Sequence, residues 1–145
     1  MTSLLHPELA FAQTQARTVS GCHIRDLITY NDAKDGFLAE LRALYAARQV
    51  VFELKNVAKL EAEHVNQLYR YLDEVTGRVG VIVCREPPPQ SVMRNMVDLH
   101  SSKRVVILTL ADSDIGLMTR LLGTSRRPLD VLKKRYIEFT RLLPK

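Results

Sequence analysis

The chain has 145 residues, 46% of them hydrophobic and 26% charged, with a formal charge of +5 and a pI near 9.4. That length and apolar content suit one domain with its own core, while the low Gly and Pro content excludes a disordered chain. No stretch approaches the roughly 20 apolar residues of a membrane span, residues 1–20 lack a charged start followed by an apolar run, and Cys22 and Cys84 stand alone; a soluble protein of the reducing cytoplasm is therefore expected.

Residues 1–18 have weak periodicity and are expected to be poorly defined, although residues 10–16 have the composition of a short helix. HIRDLITY, residues 23–30, alternates as a strand does, with Ile24, Asp26 and Ile28 on one face. A turn at 31–36 leads to a helix over 37–48, where Leu38, Leu41, Leu44 and Tyr45 recur at helical spacing. VVFELK, residues 50–55, is rich in β-branched and aromatic residues; Phe52 and Leu54 point one way, Val51, Glu53 and Lys55 the other. A second helix is predicted over 59–75, ended by Gly77. VGVIVC (79–84) and RVVILTL (104–110) are nearly continuous apolar runs, as in strands buried on both faces, with a helix over 91–101 between them. Asp112 or Ser113 can cap a helix that runs to about 122, and Pro128 opens a last one through 142. No internal repeat or interior linker interrupts this order. It predicts a single α/β domain over 1–145: a mixed central β-sheet flanked by α-helices, closed by a basic C-terminal helix over 127–145.

Asp26 and Glu53 lie on successive strands, and a carboxylate pair from neighbouring strands can hold Mg²⁺ or Mn²⁺ through hard oxygen ligands. The backbone carbonyl of Leu54 can add another oxygen. Lys55, two residues after Glu53 and on its face, can orient a water and offset charge on an attacked phosphate. The alternative is a solvent-facing Glu53–Lys55 ion pair. Asp32 and Asp35 are alternative ligands, but they fit ordinary turn roles, whereas a carboxylate inside an apolar strand is costly without a partner. His64 sits where it can border the site or serve structure alone. Neither cysteine is expected to be an activated thiol. Arg120, Arg126, Arg127, Lys133, Lys134 and Arg135 either grip a phosphate backbone or form a solvated face.

Taken together, IRDLITYN (24–31), YAARQVVFELKN (45–56) and QLYRY (67–71) resemble the PD-(D/E)XK, or restriction-endonuclease-like, nuclease superfamily over roughly residues 18–115. The resemblance implies a restriction-endonuclease-like core and a divalent-metal-dependent nuclease acting on DNA. It gives Asp26 and Glu53 the acidic metal positions and Lys55 the catalytic lysine. It also matches Gln67 and Tyr71 to a Gln-x-x-x-Tyr pair that helps to place the substrate or the lysine; four residues apart, they share one face of a helix. Family members commonly carry a further Glu on a helix before the Asp strand, for which Glu8 is a poor substitute. That short front end predicts a domain of a larger defence or restriction protein, or one completed by homodimerisation. The alternative within the fold is a catalytically inactive module that binds nucleic acid or a protein partner.

Overall fold

A computed structural model describes the backbone of residues 2–5, 9–19 and 22–145, and the side chains of residues 4, 5, 9 and 27–145. In chain order the elements are α1 (Thr2–Leu5), β1 (Ala10–Val19), β2 (Cys22–Tyr30), α2 (Gly36–Tyr45), β3 (Gln49–Leu54), α3 (Ala62–Tyr69), β4 (Val79–Val83), α4 (Gln90–Lys103), β5 (Val106–Leu110), α5 (Asp112–Leu121) and α6 (Leu129–Leu142). Among the described residues the strands form one sheet in the order β1-β2-β3-β4-β5. The pairs β1–β2 and β2–β3 are antiparallel, whereas β3–β4 and β4–β5 are parallel. This is the mixed, helix-flanked α/β sheet of a restriction-endonuclease-like core, and none of its described helices is long and apolar enough to cross a membrane.

β4 lies between β3 and β5, and its apolar run is buried on both faces, from Val79 through Ile82. Parallel neighbours need crossover helices, and right-handed crossovers place α3 and α4 on the same side of the sheet. α3 seats closely because Gly80 has no side chain: a Cβ there would lie 2.8 Å from Leu68 Cδ2 and 3.0 Å from its Cγ. Asn95 Nδ2 on α4 donates to Asn66 Oδ1 on α3 at 3.2 Å. α6 lies against β5 and beside α4, with His100 and Phe139 ring centroids 5.8 Å apart, and α2 meets α6 through Phe37 and Tyr136.

Four expectations are corrected. Residues 10–16 are not helical but lie in β1, paired with β2 down to Val19 opposite Cys22. Leu5 and Leu9 are buried in the core. Ala, Gln and Arg favour helix locally, and pairing with β2 overrides them. α2 stops at Tyr45 rather than near 48, at Ala46 in the left-handed region (φ 51°). α3 covers only 62–69 of the expected 59–75: Asp73 Oδ1 accepts the amides of Val75 and Thr76 and turns the chain before Gly77. Finally, neither Asp112 nor Ser113 caps α5; Ala111 stands at the cap, and its N–H donates to Asp114 Oδ2 at 2.9 Å.

Candidate active site

β3 alternates, so Val51 and Glu53 share the sheet face on which Gly80 and Ile82 are their neighbours in β4. α3 covers this face, and Glu53 has no solvent exposure. A carboxylate withdrawn from water costs several kcal/mol unless charge and hydrogen bonds compensate it. Compensation comes from Lys55 Nζ, 3.0 Å from Glu53 Oε1, and the lysine side chain itself is only 12% exposed. The same ammonium donates to Gln67 Oε1 on α3 at 3.0 Å. Lys55 therefore joins the finishing end of β3 to the helix above it, and its backbone N–H donates to Val83 O at 2.8 Å.

Asp26 stands directly opposite Glu53 in the antiparallel β2–β3 register, so the two positions share a face. Asn31 N–H donates to Arg48 O, which makes that pair a hydrogen-bonded one. Counting along the alternating ladder, the Asp26–Glu53 pair is of the other, narrow kind, in which paired Cα atoms approach most closely. The same alternation directs the Leu54 carbonyl toward the β2 side, whereas the Leu54 side chain is 51% exposed on the other face. Among the described side chains, which do not include that of Asp26, no three His, Cys, Asp or Glu residues converge.

Tyr71 does not share a helix face with Gln67, because α3 ends at Tyr69; it lies half-buried in the tightened turn that follows, where its N–H donates to Leu68 O. His64 serves the start of α3: its Nδ1 accepts the Glu61 N–H at 2.9 Å. Asp32 and Asp35 lie beyond the Tyr30–Gln49 pair, at the starting end of β3 and away from Glu53. There they line a cavity together with Arg127 and Lys133, so these two cations are also remote from Glu53. Arg135 is engaged in structure, bonding Asp114 Oδ1 at 2.6 Å and Glu138 Oε2 at 2.8 Å, whereas Arg120, Arg126 and Lys134 are exposed. Glu8 lies outside the described residues. The Cys84 thiol is pushed up to about 11, first by burial and then by Asp114 and Asp112, which disfavours the reactive thiolate.

Sequence reasoning passed over Asn56 and Arg85. Asn56 Oδ1 accepts from Arg85 Nε at 2.8 Å, and the pair stands on the rim one residue beyond Lys55. The available signal was Arg85's place directly after the apolar run of β4.

Residues 21–107, more than half of the chain, match the family model of the PD-(D/E)XK nuclease superfamily. The putative transposon gamma-delta 80.3 kDa protein of Escherichia coli (strain K12) is 33% identical over 81 residues, 56% of this chain and 11% of that relative. The chain thus spans a small part of the length of this curated relative. No solved structure matches it. With Glu53-Leu54-Lys55 closing a strand of a mixed sheet and Asp26 opposite Glu53, the chain belongs to the PD-(D/E)XK nuclease superfamily.

Proposed function

We propose that the chain is a divalent-metal-dependent nuclease that hydrolyses DNA phosphodiester bonds at the finishing end of β3. One observation carries this reading: Lys55 Nζ is bonded both to the buried Glu53 carboxylate and to the Gln67 amide oxygen, beside the register position of Asp26. A polymer-cutting role follows from the family, and the word transposon in the relative's name favours DNA as the polymer.

The donor set fits a hard cation. Asp26 and Glu53 supply carboxylates from a narrow strand pair, and the Leu54 carbonyl adds a neutral oxygen, which suits Mg²⁺ or Mn²⁺. When bound, such a cation supplies Lewis acidity to the scissile phosphate and makes water a stronger acid. Lys55 orients the attacking water and offsets negative charge as its oxygen bonds to phosphorus and the bond to the leaving oxygen breaks. Gln67 accepts one ammonium proton and so fixes the direction of the other two. Tyr71, in the turn after α3, shapes the side of the pocket.

Supercoiled and linear plasmid, incubated with Mg²⁺ or Mn²⁺ and with or without a chelator, test the reading. Cleavage is expected only with the divalent ion. Glu53→Gln and Lys55→Met are each expected to slow it by about 10²-fold or more while remaining folded. Cutting by both variants at the parent rate overturns the assignment, and binding without cutting by the parent leaves an inactive module of the same fold.

A further inference from the structure

We infer that Arg85, held by Asn56, is a phosphate-binding residue that grips the DNA backbone beside the phosphate being cut. The inference rests on the nuclease reading above and adds a substrate contact to it. β3 and β4 run parallel, with Leu54 paired to Val83 and Lys55 N–H donating to Val83 O. The next residues of each strand therefore emerge side by side on the rim where Lys55 stands, and there the Asn56 side chain meets the Arg85 guanidinium. Both are exposed, so a bound strand can reach them.

The chemistry of the partner is the decisive point. Arg78 is joined to Glu74, and Arg135 to Asp114 and Glu138, so in each case a carboxylate neutralises the cation. Arg85 is instead held through Nε by a neutral amide oxygen. An amide fixes the direction of the guanidinium without cancelling its charge, and it leaves the terminal Nη groups as a fork for two phosphate oxygens. The backbone of Arg85 is anchored as well: its carbonyl accepts the Asp112 N–H at 3.3 Å, and the preceding Cys84 N–H donates to Leu110 O at 2.9 Å. A cation kept charged and aimed, one residue outward from the lysine beside Glu53, is placed to hold a phosphate next to the one at that lysine.

The test measures duplex DNA binding by fluorescence anisotropy across a salt series, in a Glu53→Gln background so that nothing is cut. Arg85→Ala is expected to weaken binding about 5–10-fold and to reduce the slope of log affinity against log salt by about 0.9, the loss of one phosphate contact. Asn56→Asp is expected to weaken binding similarly, because a carboxylate neutralises the guanidinium, whereas Asn56→Ala has a smaller effect. In the cutting-competent chain, Arg85→Ala is expected to raise KM more than it lowers kcat. An unchanged salt slope overturns the proposal, including the case in which Arg85→Ala only lowers the melting temperature. If the parent then still cuts with a divalent ion, the nuclease reading stands without Arg85; a parent that neither binds nor cuts DNA overturns both.

Discussion

Glu53 brings a carboxylate to a place without solvent contact, and Lys55 at 3.0 Å is the cation that compensates it. Removing the ammonium alone leaves buried charge behind, so Lys55→Ala is expected to lose about 3 kcal/mol in urea denaturation. Adding Glu53→Gln to that variant is expected to recover most of the loss; equal stability of Lys55→Ala and parent contradicts this account of the pair. Cys84 is the opposite kind of residue, its thiol raised to about 11 chiefly by burial. In a Cys22→Ser variant, alkylation of Cys84 is expected to be slow until denaturant is added, and rapid labelling of the folded protein argues against this environment. The shared face of positions 26, 53 and 55 was legible in the sequence because a period of two fixes which strand positions share a face. Asn56 and Arg85 were not, because 29 residues separate them and only the parallel β3–β4 register brings them together.

At the scale of elements, α3 decides whether Gln67 reaches Lys55, and Gly80 decides how closely α3 approaches. Leu68 is fully buried and its Cγ has little room to move, so Gly80→Ala is expected to cost about 1–3 kcal/mol. By lifting Gln67 away from Lys55 it is also expected to slow the proposed cleavage. A melting curve and a cleavage rate check both effects together, and parent-like values for each contradict the packing described. The apolar spacing in α3 was readable, but its end was not: the periodic pattern runs past Tyr69, whereas the Tyr71 and Leu72 amides turn back to Leu68 O and Tyr69 O, and Asp73 then captures the amides of Val75 and Thr76. β1 was missed for a related reason, since its alanines and glutamines carry no strand signal of their own and its identity comes from β2.

In the whole molecule, His100 is a titratable group that ties helices together. Tyr45 OH lies 2.9 Å from its Nε2, and its ring packs against Tyr45 of α2 and Phe139 of α6. Burial, and then the Arg104 charge, hold its pKa below the ordinary 6.5. The unfolded chain therefore takes up the proton first as pH falls, so this stability is present above 6.5 and is lost as pH drops through the lower folded value. Urea midpoints are expected to fall between neutral and mildly acid pH, and to fall less in His100→Gln; identical pH dependence of the two proteins contradicts the role. The order of elements from His23 onward was legible, and the parallel strands then required crossover helices. The packing of α6 beside α4 was not legible, since it rests on contacts between distant segments.

In the proposed site, Asp26 and Glu53 hold one cation beside Lys55. A crystal of the protein soaked in manganese tests it most directly. One anomalous peak within coordinating distance of both carboxylates is the expected result. A manganese ion ligated elsewhere, or none at a concentration that supports cleavage, contradicts the account.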